Sequence, residues 1–135
     1  MDPDSGDTPT HGLRRYVRAV AVELGSAQRP PSTDAGPPAT AYLALAGNLP
    51  SFPGRGFALV WDEEFGWAAA VRTDADEPPV VISYLGGDVL PTAAEVAAFV
   101  AALLRGGHPG DPRPIRLRAY GSADDFTDRL RACPP

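Results

Sequence analysis

The stretch of this sequence richest in side chains that could do chemistry is 61–67, which reads WDEEFGW. Its three consecutive carboxylates could bind a divalent cation or form an acid/base pair. An ion cage, however, needs oxygens that converge from several segments, and consecutive strand residues point to opposite faces. The pattern therefore favours a solvated turn at the end of a hairpin, and Trp61 and Trp67 are interpreted as core or interface residues.

A pair of glycines follows an apolar run, in the string LGGD that ends at Asp88. Glycines after a strand can let a phosphate approach backbone N–H groups. Neither G-x-G-x-x-G nor G-x-x-x-x-G-K-[ST] occurs, however, and the sequence contains no lysine. The string therefore predicts a turn with positive φ, and Asp88 remains as a candidate binding residue.

The residue types that usually carry catalysis or hold metals form no recognisable constellation. His11 and His108 lack the local pairing, such as H-x-x-x-H, that metal sites use. Ser83 lacks a G-x-S-x-G context, and Cys133 has no spaced histidine and cannot form an internal disulfide. The sequence therefore predicts no metal, no cofactor and no catalytic residue.

Charge is distributed unevenly, with a basic patch near the C-terminus formed by Arg113, Arg116 and Arg118. Residues 105–131 carry a net charge of +2, whereas residues 55–77 carry −4. This asymmetry could orient a protein partner, drive self-association of the acidic hairpin against the basic segment, or keep the surface soluble. A DNA-linked regulator using these arginines is a further alternative, but the formal net charge of −5 argues against non-specific nucleic-acid binding.

Composition bounds the domain organisation. The 135 residues are 44 % apolar and 21 % charged, which leaves room for one domain and one modest core. Residues 1–9 predict a disordered acidic tail, and residues 10–132 predict a single domain that contains a proline-rich loop over 26–39. The longest apolar stretch is too short to span a bilayer and no signal-peptide pattern occurs, so we expect a cytoplasmic protein without a membrane partner.

Hydrophobic spacing predicts an α+β fold. Helical stripes begin near Thr10 and after a capping box formed by Thr92 and Glu95, and a short helix ends the chain. The predicted strands cover residues 42–46, 57–62, 67–73, 80–85 and 115–119. Short connections imply an antiparallel sheet of four to five strands, a meander plus one late strand, covered by two long helices and the short C-terminal one. The continuous apolar run over 80–85 predicts a central strand.

The second and third strands are expected to form a hairpin that carries both tryptophans. A three-residue loop over 64–66, with Gly66 in the left-handed position, places Trp61 opposite Ala69. In this register Trp61 and Trp67 share one face, whereas a four-residue loop would separate them. We prefer the shared face because burying both indoles together is the larger apolar gain.

Four strings of the sequence resemble a family of small actinobacterial proteins of unknown function. They are YVRAVA from Tyr16, YLAL from Tyr42, ALVWDEEFGW from Ala58 and YLGGDVLP from Tyr84. W-D-E-x-x-G-W and Y-L-G-G-D-x-L-P are the specific parts, and the similarity covers about residues 12–106. The resemblance implies a cytoplasmic bacterial protein, and it brings no activity, cofactor or catalytic residue to transfer.

These observations predict a non-enzymatic protein-interaction or accessory module that binds another protein or a second copy of itself. The alternative is a small-molecule-binding domain or an enzyme, with a pocket between the sheet and the helices lined by Trp61, Trp67, Tyr84 and Asp88. The candidate residues for a ligand or a partner are Trp61, Trp67, Tyr84, Asp88, Arg116 and Arg118.

Overall fold

A computed structural model of the chain describes residues 9–25, 30–72, 77–121 and 124–132. The elements in chain order are α1 (Pro9–Leu24), β1 (Ser32–Asp34), β2 (Thr40–Leu45), β3 (Phe57–Asp62), β4 (Gly66–Val71), β5 (Val80–Tyr84), α2 (Ala93–Leu104) and α3 (Phe126–Arg131). Most of the predicted tail, over residues 1–8, and Cys133 lie outside the described residues.

The five strands form one antiparallel sheet in the order β1-β2-β3-β4-β5. This meander, with one long, one medium and one short helix, confirms the α+β fold class. Among the described residues, no helix is both long and apolar enough to cross a membrane.

The fifth strand comes from the proline-rich loop and not from the late segment. Ser32–Asp34 pairs with β2, Ser32 lying opposite Tyr42. Residues 115–119 are not part of the sheet, and Leu117 donates its N–H to the carbonyl of Glu64 at 2.7 Å. Alternating side chains predict a pleated backbone, but a strand also needs a free sheet edge to pair with. Sequence alternation does not specify whether such an edge is within reach.

β5 is an edge strand, so the prediction of a central strand over 80–85 is wrong. Val80 is half exposed. The pairing shifts between Ala69 and Ala70, which face Ser83 and Val81, so Ile82 is an extra residue on β5. A bulge of this kind breaks the alternation of faces. The bulge therefore accounts for the continuous apolar run in β5, although this strand is not buried on both faces.

The β3–β4 hairpin places both indoles on one face, as predicted, but in a different register. Trp61 lies opposite Trp67 and Asp62 opposite Gly66, so the predicted pairing of Trp61 with Ala69 is wrong by two residues. A shift of two residues keeps every side chain on its own face. Gly66 has the expected left-handed φ of +73°.

The helices pack on only one face of the sheet, which we call the helix face. Odd-numbered residues of β2, β3 and β4 point to it and pack against apolar stripes of the helices. α2 begins with the predicted capping box, in which Thr92 Oγ1 accepts the N–H of Glu95 and Glu95 Oε1 accepts that of Thr92. The helix residues of this core are Leu13, Tyr16, Val17, Val20, Val96, Phe99, Val100, Leu103, Phe126 and Leu130.

Candidate binding site on the open sheet face

The two tryptophans are buried inside the core. Trp61 and Trp67 are each 1 % exposed. Trp61 Nε1 donates to the carbonyl of Val89 at 2.8 Å, and Trp67 Nε1 donates to the hydroxyl of Tyr16 at 3.0 Å. Both indoles thus have apolar contacts and a hydrogen-bond partner, which is the arrangement that makes a buried tryptophan stable. The sequence offered a pocket lined by both indoles as an alternative, and in the structure the two side chains pack within the core.

The acidic tip of the hairpin is occupied by the chain's own arginine. Arg118 Nη1 donates to Glu63 Oε2 at 2.7 Å, and its Nε and Nη2 donate to the two oxygens of Asp124 at 2.8 and 3.1 Å. Its guanidinium also lies over the ring of Phe126, 4.2 Å from the centroid. Hydrogen bonding from Arg118 lowers the pKa of the Asp124 carboxyl. Because Glu63 and Arg118 are both almost fully buried, this cluster is structural and its arginine is unavailable to a partner.

Glu64 binds the segment that contains Arg118 and Asp124, which we call the strap (described residues 115–121 and 124–132). Its Oε2 accepts the N–H of Tyr120 at 2.7 Å. Arg116 lies 3.7 Å from Glu64 Oε1 and 5.7 Å from the ring centroid of Phe65, and its side chain is 61 % exposed. The acidic hairpin and the basic segment therefore meet within one chain. Self-association of the acidic hairpin against the basic segment was one of three alternatives that the charge pattern left open.

Asp88 also binds inside the molecule. Its Oδ1 accepts the N–H of Leu90 at 2.9 Å, and its Oδ2 accepts Arg129 Nη2 at 2.9 Å. The hydrogen bond from Arg129 is the main reason why the pKa of Asp88 is lowered from its ordinary value. This pair ties α3 to the turn before α2.

The side of the sheet opposite the helix face, which we call the open face, carries the even-numbered residues of β1 to β4. One row runs across four strands in register, from Tyr42 through Val60 and Ala68 to Tyr84. The two tyrosines are three inter-strand steps apart, about 14 Å at a spacing of about 4.8 Å. Because the residues between them are small, the tyrosines form walls above a low apolar floor.

A recess of about 810 Å³ opens on this face near the hairpin. The tyrosine row supplies its floor and walls, Phe65 and Gly66 lie at the hairpin side, and Pro78 and Pro79 lie on another side. β1 forms a further border. The recess is thus lined by residues from every strand of the sheet. Two of the six predicted candidates are among them: Tyr84, whose side chain lies on this face, and Trp61, whose indole lies on the other face.

The polar groups of the recess favour a positive charge. Asp34 and Asp62 line it, and among the described residues its lining has no arginine or histidine. One oxygen of Asp34 accepts the N–H of Gly36, and one oxygen of Asp62 accepts those of Glu64 and Phe65. The other oxygen of each carboxylate has no partner within the described ranges and can accept a new donor.

Sequence reasoning missed most of this site. Tyr42 and Asp34 are not among the sequence candidates, because the pattern around Tyr42 indicates only a strand and that around Asp34 only a loop. Strand alternation places Val60, Asp62 and Ala68 on the face opposite the tryptophans, which was an available signal. Within the described part of the chain, no group of three or more His, Cys, Asp or Glu side chains is arranged to hold a metal ion.

Residues 16–102 match the model of a family of unknown function, DUF6292, and the protein belongs to this family. Every residue that lines the recess lies in the matched region, whereas the strap lies beyond it. No curated protein and no solved structure matches the chain.

Proposed function

We propose that this member of the DUF6292 family is a non-enzymatic protein-interaction module of the bacterial cytoplasm, and that the recess on its open face binds an extended, positively charged segment of another protein. The observation that supports this is a sheet face without helix cover whose aromatic walls, apolar floor and two carboxylates converge on one concave site. Clusters of aromatic residues with a polar rim are typical of protein-binding surfaces.

The dimensions of the recess favour an extended segment. Such a segment takes about 5 Å in the plane of a sheet, so it fits between walls about 14 Å apart with room for its side chains. An α-helix with its side chains is about 10–12 Å wide and would fill nearly the whole gap before the tyrosine rings are counted. Apolar side chains would contact Val60, the half-buried residue on the floor of the recess.

The charge of the partner follows from the lining. A lysine or arginine of the partner can donate to the available oxygens of Asp34 and Asp62 and lie over an aromatic ring. Phe65 already accepts a guanidinium in this way, from Arg116 of the strap. Arg118 of the strap is buried in its own ion-pair cluster and does not line the recess, and we assign the cation to a different protein.

Selection from a displayed library of random twelve-residue peptides on the full-length protein tests this proposal. We expect enriched peptides that combine arginine or lysine with apolar residues, and amide NMR shifts confined to residues around the recess. Tyr84→Ala should weaken binding about tenfold or more, as for an aromatic hot spot. Asp62→Asn, which keeps an acceptor for the turn, should weaken charged peptides about three- to fivefold, as expected of an exposed ion pair.

Tyr120→Ala is the matched control, because Tyr120 is an exposed tyrosine outside the recess. Equal losses for the two tyrosine variants, enrichment of acidic peptides, or shifts that map to another surface would each contradict the proposal. So would a dimer in solution that Tyr84→Ala converts to a monomer, since a second copy would then be the occupant.

A further inference from the structure

We propose that a second, separate cavity between β5, α2 and the loop after β2 is a binding site for a small uncharged aromatic molecule. The cavity measures about 310 Å³, at the lower end of the range for ligand pockets. None of its described lining residues also lines the recess on the open face. The inference therefore does not depend on the proposed function.

The surface of this cavity is apolar. Its side chains include Leu49, Phe52, Ile82 and Leu103, of which Leu49 and Leu103 are buried. Three prolines, at positions 50, 109 and 112, complete much of the remaining wall. The planar phenylalanine ring, the compact proline rings and the branched aliphatic groups present a surface on which a planar ring packs with good van der Waals contact.

The outer wall of the cavity is fixed in place, although its sequence of glycines and prolines over 106–112 would favour mobility in isolation. Tyr84 and Asp111 exchange two backbone hydrogen bonds of 2.7 and 2.9 Å. Ser83 Oγ donates to the carbonyl of Pro109 at 2.5 Å, and Gly107 donates its N–H to the carbonyl of Ala102 at 2.9 Å. Anchors at both ends of the loop keep the cavity from collapsing, so a ligand does not have to order this wall on binding.

Gly110 shows how closely this wall is joined to the sheet. A Cβ at this position would lie 2.3 Å from the carbonyl oxygen of Tyr84 and 2.5 Å from Ser83 Oγ. Only glycine fits there, and its φ of +81° also favours glycine. The cavity is therefore a preformed feature of the packing of this loop against β5.

The polarity of the lining sets the class of ligand. Among the lining residues that the structure describes there is no aspartate, glutamate or arginine, and the hydroxyl proton of Ser83 is already donated to Pro109. The remaining polar side chains are those of Ser51 and His108, both exposed and therefore at the mouth. Inside the cavity a charged ligand would lose its hydration without gaining a charged partner among the described lining residues. The fitting ligand has one or two fused rings and at most one polar group, directed towards the mouth.

Indole and 2-naphthol are suitable probes for NMR titration of the full-length protein. For ligands of this size we expect a Kd on the order of 1 mM or tighter. Amide shifts should concentrate at Ile82, Leu103 and Gly107. Ser51→Trp adds a large ring at the mouth without changing a buried residue, and it should weaken binding of both probes at least tenfold.

Val22→Trp is the matched control, because Val22 is 75 % exposed on α1 and does not line the cavity. It should bind the probes as the unmodified protein does. The proposal is overturned if neither probe produces saturable shifts, if the two tryptophan variants weaken binding equally, or if the shifts map to the recess on the open face.

Discussion

The two faces of the sheet are built from the same strands but have opposite properties. On the helix face, Trp61 and Trp67 are enclosed, and each indole N–H has a partner. On the open face, the neighbouring Val60 and Ala68 form the floor of a recess with carboxylates at its edge. Because side chains alternate along a strand, one hairpin supplies the two largest buried side chains of the core and also lines a concave site on the other face.

The residues that determine the stability of the fold therefore lie mainly on the helix face, and the residues proposed to bind a partner lie on the open face. Removal of a side chain on the helix face leaves a cavity in a packed core, whereas removal on the open face mainly changes what the surface can contact. The hairpin tip connects the two regions, since Glu63 and Glu64 hold the strap while Phe65 and Gly66 line the recess.

The strongest test of this separation compares an aromatic residue from each face. Trp61→Ala should lower the free energy of unfolding by about 3–5 kcal/mol, because it deletes a fully buried ring that also stacks on Phe126. Tyr84→Ala should lower it by about 1 kcal/mol or less. Urea unfolding of the two variants measures both values. Similar costs would show that the open face is also part of the stabilising core.

A second comparison uses two arginines of the strap. Arg118→Ala should cost about 2–4 kcal/mol, because it leaves Glu63 buried and without its charge partner. Arg116→Ala should cost less than about 1 kcal/mol, since its ion pair is long and its side chain is mostly exposed. Urea unfolding under identical salt conditions distinguishes them. An equal, small effect of the two substitutions would mean that the ion pair between Arg118 and Glu63 contributes little to stability.

A third and smaller effect is expected at Gly66, which lies close to Leu117 of the strap and also lines the recess. A Cβ there would lie 2.9 Å from Leu117 Cδ1, and the residue has a φ of +73°. Gly54 has a similar φ of +80°, and no atom of the described residues lies within 4 Å of its Cβ position. Each alanine substitution should cost about 1 kcal/mol for the left-handed backbone, and Gly66→Ala about 1 kcal/mol more for the contact. Thermal unfolding of the pair isolates that second contribution.

The smallest effect is the pH dependence of the Asp88–Arg129 pair. The pKa of Asp88 is lowered in the folded protein, so its stabilisation is complete above the unfolded pKa of about 3.9 and disappears as the pH falls through the lower folded value. Asp88→Asn should therefore cost up to about 1 kcal/mol near neutral pH, as for a partly exposed pair. Its Tm should converge with that of the unmodified protein in acid. A difference that persists below the folded pKa would assign the effect to hydrogen bonding and not to charge.

Local patterns were sufficient for much of the fold. The spacing of Leu13, Tyr16, Val17 and Val20 predicted α1, and Thr92 with Glu95 predicted the start of α2. These features depend on interactions within one or two helical turns, so they can be recognised from neighbouring residues. The shared face of the two tryptophans was predictable for the same reason. It depends only on whether the hairpin loop has an odd or an even number of residues, and not on the exact register of the strands.

Long-range pairing was not predictable in this way. The contact between Glu63 and Arg118 joins residues 55 positions apart, and β1 forms because β2 offers an edge to a short segment of a proline-rich loop. Such choices depend on which edges, charges and surfaces remain free after the sheet has assembled.

The sequence by itself determined the class of fold, the helix boundaries marked by caps, and the side of the hairpin on which each residue lies, because these follow from local periodicity. Only the tertiary structure decided that the helices cover one face, that the basic segment neutralises the acidic hairpin within the same chain, and that Tyr42, Tyr84 and Asp34 border one recess. Those outcomes depend on the packing of residues distant in sequence, which compete for the same surfaces as the chain folds.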